Sequence, residues 1–422
     1  MTKLLVSLAI ATMSMLMTSC TNPAPHSQTK AQSGPATFGA DVAFLRQHVK
    51  VHVLKSASSD AQVAVVPEWQ GRVMTSSAGG AAGFSCGWLN YELIAKGIQP
   101  ESQRSGLEKH IYVFGGEERI WFGPEGGQYA LFFAPGVKNY TFDDWKTPAL
   151  MDTEPFVVKS SSASQIVFEK SATLVNKAGT KFYLRLEREV RVLEKSGIAE
   201  SFKVTVPDQV RVVGYQTRNA LANTGTQAWT EEGGLISVWL LGMLKHGPGV
   251  TIVIPLAKGG EPAVNSDYFG PVENDRLRVV RDAVFFKGDG QYRSKIGIPP
   301  NRARGVCGSY DAARGILTVL RYNQPADASS KPYVRSQWKD HERPYAGDVI
   351  NAYNDGAPEP GAKPLGPFYE LESSSPSLPL QPGQSITHIQ TTVHFEGTPE
   401  QLDPICRAAL GVSIAEITAA FR

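Results

Sequence analysis

Glu370 and Glu372 stand two apart in the run Gly366-Pro-Phe-Tyr-Glu-Leu-Glu-Ser-Ser-Ser-Pro376. Side chains alternate across a β-strand, so an extended run here projects both carboxylates from one face and Tyr369, Leu371 and Ser373 from the other. Paired carboxylates with perturbed proton affinity are the usual material of general acid–base chemistry. Two readings stay open: a wet strand face, or a site. The flanking Pro-Phe-Tyr and the hairpin that follows, through Leu380-Gln-Pro-Gly-Gln384 to Ser385-Ile-Thr-His-Ile-Gln-Thr-Thr-Val-His-Phe395, suit a strand inside a sheet.

A second constellation lies in Gly115-Gly-Glu-Glu-Arg-Ile-Trp-Phe-Gly-Pro-Glu125, which places Arg119 and Trp121 on one strand face and Glu125 in the turn beyond. Arginine, tryptophan and carboxylate together suit a sugar: the ring stacks on the apolar face of a pyranose, while Arg and Glu bond its hydroxyls. The competing reading is a core tryptophan beside a structural ion pair. Trp145, in a loop of Asp-Trp-Lys-Thr-Pro, repeats that chemistry, with Arg218 and Asn219 as further ligand contacts. The stretch from Ser336 to Asp348 concentrates polar groups, among them Lys339 and His341 as candidate acids or electrostatic stabilisers opposite the glutamates; a histidine titrates near neutral pH. Asn351, Tyr353 and Asp355 share a face if the next stretch is extended. Clustered Asp355, Glu370 and Glu372 could hold calcium, and no other cofactor is expected. His246, His388 and His394 are alternative histidines without metal-ligand spacing, and Trp239, in an apolar strand, belongs to the core.

The elements that must position these groups are strands. Runs rich in β-branched and aromatic residues, separated by Gly, Pro, Asn and Asp turns, occur at 51–55, 62–66, 72–75, 111–114, 129–133, 156–159, 165–170, 181–193, 198–206, 210–221, 236–241, 250–255, 276–287, 316–322, 367–372 and 385–395. The run 181–193 alternates apolar and charged residues, as a long strand with one wet face does; its Arg185, Glu187 and Glu189 suit cross-strand ion pairs. Thr398 caps a helix that opens with Pro399 and stops at Gly411, and Ser413 with Glu416 forms a second capping box. The strand runs predict an all-β fold, a large antiparallel β-sandwich or a barrel, with short N- and C-terminal helices, and 422 residues at 42% hydrophobic content can bury its core.

With 42 basic against 40 acidic residues and no basic cluster, nucleic acid is not an expected partner. Lys3, an apolar stretch over 4–17 and Leu16-Met-Thr-Ser-Cys20 describe a secretory signal with a lipobox in which Met17 takes the usual leucine's place. Residues 1–19 are then a signal peptide, Cys20 is the lipidated membrane anchor and 20–38 a disordered tether, with the sandwich at 39–397 and a helical segment at 398–422. The expected location is the cell envelope, on the periplasmic face of a bacterial membrane. Cys86, Cys307 and Cys406 show no CxxC spacing, so a zinc cluster is not expected; one disulfide with a free thiol and three buried thiols both remain open.

Two of these motifs carry a resemblance. Leu371-Glu372-Ser-Ser with Leu380-Gln-Pro-Gly-Gln384 resembles the closing strands of the galactose mutarotase-like (aldose 1-epimerase) superfamily, and Gly115–Glu125 resembles its Gly-Gly-x-Arg-x-Trp-x-x-Pro-Glu motif with one extra residue. The chain is most similar to bacterial lipoproteins grouped as domain-of-unknown-function family 6786. The resemblance implies a mutarotase-like supersandwich, a carbohydrate ligand, and a base at Glu372 with Glu370 its near equal. The family's Asn-His-x-Tyr-Phe strand is missing here, which leaves the acid unassigned. Three readings follow: a Glu-dependent enzyme of epimerase-like or glycoside-processing type, a non-catalytic carbohydrate-binding lipoprotein, or a purely structural envelope protein, which the absence of a pocket around Arg119 and Glu372 would favour.

Overall fold

The computed structural model describes residues 37–422, apart from Arg281 and Pro360. The expected signal segment, Cys20 and the tether through residue 36 lie outside the described residues. Numbered in chain order, the strands form three antiparallel sheets. β1 (His52–Lys55), β2 (Gln62–Val66) and β3 (Arg72–Ser77) make the smallest. A five-stranded sheet runs in the order β13 (Ser294–Ile298), β16 (Ile350–Asn354), β17 (Phe368–Ser374), β9 (Ser237–Lys245) and β4 (Arg119–Gly123). A ten-stranded sheet runs β11 (Leu277–Val279), β12 (Ala283–Lys287), β10 (Val250–Pro255), β14 (Val306–Asp311), β15 (Ile316–Tyr322), β18 (Ser385–Glu396), β8 (Arg211–Asn223), β7 (Lys181–Val192), β6 (Gln165–Val175) and β5 (Val157–Ser161).

The two larger sheets pack face to face, and the sequence patterns follow from that. β7 buries Phe182, Leu184, Leu186, Arg188, Val190 and Val192 and turns the alternate residues outward, the half-wet alternation of a covered antiparallel sheet. β9 and β10 are covered on both faces and are buried along nearly their whole length. The charged network trapped between the sheets is paired: Arg188 reaches Glu118 at 2.9 Å and Asn219 at 2.6 Å, and Gln390 donates to Glu118 at 2.8 Å. Buried polar groups left without such partners would each cost about 1–3 kcal/mol.

The helices Pro399–Leu410 and Ile414–Ala419 carry the anticipated capping boxes at Thr398 and Ser413. They bury Leu402, Ile405, Cys406 and Ile417 against Leu317, Val319, Val393 and Phe395 on the outer face of the ten-stranded sheet. No described helix is long and apolar enough to cross a membrane.

Local expectations fail where tertiary contacts overrule pattern. The apolar run at 198–206 is not a strand: Lys195–Phe202 is a helix that buries Ile198 and Phe202, four apart on one face, and ends at the left-handed Lys203. The runs at 111–114 and 129–133 are buried but irregular. Their backbone groups are satisfied by loops, as when Tyr112 N donates to the Asp152 carboxylate at 2.9 Å and Leu131 N to Pro124 O at 2.9 Å. The run at 276–287 is two paired strands, β11 and β12. Strands β13, β14 and β16 lie outside the expected runs, their small and polar residues hiding the pattern. Cys86, Cys307 and Cys406 are free, buried thiols.

Candidate functional site

Register brings the sequence motifs together. Across the five-stranded sheet, Glu372 lies opposite Asn351 on one side and Leu241 on the other, and Leu241 lies opposite Arg119. Tyr353 stands between Glu370 and Lys295, and Trp239 lies opposite Trp121. Partners across a ladder share a face, and so do positions two apart on one strand. One face therefore carries Arg119, Trp121, Trp239, Glu370, Glu372, Asn351, Tyr353 and Lys295, while Tyr369, Leu371 and Ser373 turn to the other sheet.

Each glutamate on this face has its own cation. Arg119 Nη2 lies 2.9 Å from Glu370 Oε1 and its guanidinium 4.2 Å from the Trp121 ring centre. Lys295 Nζ lies 2.9 Å from both oxygens of Glu372, and Trp239 Nε1 donates to Glu372 Oε2 at 2.9 Å. Burial pushes the Glu370 carboxyl up to about 7, Arg119 opposing the shift and Glu372 adding to it. Calcium chemistry is not assembled here: Glu370 and Glu372 face cations, and Asp355 accepts from Tyr353 OH at 2.5 Å and Gly366 N at 2.8 Å.

Irregular chain covers one end of the face. Gly126 packs so closely on the segment 333–348 that a Cβ there would meet Gln337 O at 2.4 Å, so the glycine-rich turn and this segment seat as one cover. Between cover and sheet lies a cavity of about 20 Å³ lined by Glu125, Trp239, Tyr268, Lys295, Asp348 and Asn351, with Gly123, Ser237, Val334, Ser336 and Ser374. Trp338 Nε1 donates to Glu125 Oε1 at 3.0 Å. Tyr268 OH donates to Asp348 Oδ2 at 2.6 Å and accepts from Asn351 Nδ2 at 2.9 Å. Burial raises the carboxyls of Glu125 and Asp348; Lys295 and Trp338 pull Glu125 back, as Tyr268 and Asn265 do Asp348.

The remaining candidates lie elsewhere or act from behind. Lys339 is exposed and pairs with Asp267 at 3.2 Å, away from the glutamates. His341 is buried in the cover, where its backbone N–H donates to Gln128 Oε1 at 3.0 Å and burial lowers its proton affinity; it ties the cover down and faces neither glutamate. Trp145 is buried, stacked on Phe132 and Trp338 at 5.8 and 5.9 Å. Trp121 donates its Nε1 to Met151 O at 3.0 Å, so its indole N–H is already committed. Arg218 pairs with Glu187 at 3.0 Å on the wet face of the ten-stranded sheet, and Asn219 belongs to the Arg188 network between the sheets. Among the alternative histidines, His246 bonds Asp289 O at 2.7 Å and His388 bonds Ser373 Oγ at 2.8 Å, so neither reaches the cavity.

Lys295, Tyr268 and Asp348 were not singled out in the sequence, and Trp239 was assigned to the core. The Ile-Gly-Ile run that follows Lys295 was the available signal for a buried lysine there. Tyr268 lies in a loop with no pattern.

The fold and its charged, indole-lined face define an antiparallel β-sandwich protein with one covered polar site. The chain belongs to the family described as "Family of unknown function (DUF6786)", whose sequence model matches residues 36–421. No curated protein matches it in sequence. Among solved structures it is similar to the Slr1438 protein of Synechocystis sp. PCC 6803, at 14% identity and a TM-score of 0.47 over 83% of this chain and 96% of that one. A galactose mutarotase-like protein from Lactobacillus casei gives 12% identity and a TM-score of 0.45 over 82% of this chain and 100% of that one. A galactose mutarotase related enzyme from Lactobacillus acidophilus gives 8% and 0.41 over 83% and 98%.

Proposed function

We propose that this protein binds a carbohydrate at the covered end of the five-stranded sheet and moves protons on it, in an epimerase-like or glycoside-processing reaction. The observation that carries the reading is Glu125 on the cavity wall with Glu372 behind that wall, bound to the lining residues Lys295 and Trp239. Glu372 is compensated on both oxygens by Lys295, whereas burial raises Glu125, which a single indole N–H holds. A carboxyl raised by burial beside one held in an ion pair suits acid–base work. Glu372 is the base in this scheme and Glu125 the acid; Lys295, Asn351 and Tyr268 supply hydroxyl contacts. Glu370, which like Glu372 lies outside the cavity lining, positions Arg119 beside Trp121. The same proposal has the protein exported and lipid-anchored through Cys20 on the periplasmic side, supported by the signal and lipobox pattern alone.

A cavity of about 20 Å³ holds one water and not a sugar ring. Ligand entry therefore requires the segment 333–348, with Trp338, to lift from Glu125. The same tightness, with both Glu372 oxygens engaged, favours a second reading: a non-catalytic carbohydrate-binding lipoprotein.

Proton NMR of the full chain with mono- and oligosaccharides, wild type beside Glu372→Gln and Glu125→Gln, tests both. New or exchanging anomeric signals that disappear in either variant support the enzyme. Line broadening without chemical change supports the binder, and no response from any sugar overturns the carbohydrate reading.

A further inference from the structure

On the opposite side of the five-stranded sheet, between it and the ten-stranded sheet, Cys86, Glu117 and His394 converge from three separate parts of the chain. All three are buried, at 4%, 2% and 1% exposure. Their sulfur, carboxylate oxygen and imidazole nitrogen lie within 4.8 Å of one another. We propose that these three side chains bind a zinc ion, with a fourth coordination position open to the adjoining cavity.

The donor set and its charge fit. Thiolate, imidazole and carboxylate are the ligands zinc takes, and three protein ligands with one open position is a known arrangement. Thiolate and carboxylate together neutralise a divalent cation, so the filled site buries no net charge, as a dry location between sheets requires. Tetrahedral bonds of about 2.0–2.3 Å put ligand atoms roughly 3.3–3.6 Å apart. Glu117 Oε2 and His394 Nε2, at 3.0 Å, are close to that spacing already, and the thiol closes the triangle by a small shift.

The ligands are also held from behind. His394 Nδ1 bonds Thr318 Oγ1 at 2.8 Å, and Ser76 donates its hydroxyl to Glu117 Oε2 at 2.9 Å and its backbone N–H to the other oxygen. Such outer bonds orient metal ligands. A neutral histidine that donates Nδ1–H to Thr318 presents a bare Nε2 to Glu117, and two acceptors that close are bridged by either a metal cation or a shared proton. The opposite tautomer fills the gap with its own proton, so metal content separates the two cases.

The open position has room. A cavity of about 20 Å³, water-sized, is lined by Cys86, His394, Thr318, Tyr369, Lys245 and Asp311, with Leu244, Ile316 and the partly exposed Phe84. Cysteine spacing hid the site, since the other two ligands lie 31 and 308 positions beyond Cys86.

The test is metal analysis of the full chain after zinc loading and desalting, with a parallel cobalt(II) titration. Expected are about one zinc per chain and a thiolate-to-cobalt charge-transfer band, both lost in Cys86→Ser and His394→Gln and both kept in Lys339→Ala, at an exposed position in the cover. Thr318→Val leaves the three ligands in place and should weaken zinc binding roughly 10- to 100-fold. Absence of bound zinc in the folded wild type, a cobalt spectrum without the thiolate band, or zinc content unchanged in Cys86→Ser would overturn the proposal. The cobalt spectrum needs only the wild type, so it decides even where a variant does not fold.

Discussion

Lys295 Nζ reaches from β13 past the whole width of β16 to both oxygens of Glu372 on β17, at 2.9 Å each. The contact joins two strands that are not neighbours and does so at the cavity wall. Glu372 has no measurable exposure and the Lys295 side chain 10%, so neither charge has water to fall back on.

Removing one partner of such a buried pair should therefore cost about 3–5 kcal/mol, because the other charge is stranded. Lys295→Met should lower stability by that amount, and Lys295→Met with Glu372→Gln should recover most of it. Urea unfolding curves of the three proteins check this; a cost under about 1 kcal/mol for the single variant would show the pair to be solvated.

Glu370 makes stability fall as pH rises. Its carboxyl moves from an ordinary 4.5 to about 7 in the folded protein, so the folded state binds the proton more tightly, and stability is lost between about pH 4.5 and 7. The loss is at most on the order of 3 kcal/mol. Glu370→Gln should flatten that part of the stability–pH curve, whatever it does to the absolute value through Arg119. An unchanged slope would mean that Glu370 is ionised throughout.

His388 acts in the opposite sense. Burial lowers its proton affinity from 6.5 to about 3, so the unfolded chain binds the proton first and stability declines as pH falls from about 6.5 toward 3. His388→Gln, which can keep a bond to Ser373, should blunt acid unfolding over that range. Thermal melts at stepped pH are the measurement, and equal acid sensitivity in both proteins would rule out the histidine as a cause.

Trp338→Phe removes the indole N–H from Glu125 and leaves the ring. The Glu125 carboxyl should then titrate higher, since that bond, with the charges of Lys295 and Arg293, holds it down against burial. Carboxyl-carbon NMR with labelled glutamate follows the midpoint, and a midpoint unmoved or lowered would mean that the indole does not hold this group.

The sequence by itself determined the strand-dominated class, the wet and dry faces of β7, the two C-terminal capping boxes and the common face of Glu370 and Glu372. These depend on spacings of two to four residues, and a chain's local geometry converts such spacings directly into direction. Arg119 and Trp121 were legible for the same reason. The tertiary structure alone decided which of these groups meet. It set Lys295 against Glu372, Trp338 against Glu125 and Cys86 beside His394, withdrew Lys339 to the surface and His341 into the cover, and turned an apolar run into the helix Lys195–Phe202. Those outcomes depend on strand order and on loops folded over a sheet, which follow from the packing of residues far apart in the chain. A periodicity read along one segment contains no record of what will be laid across it.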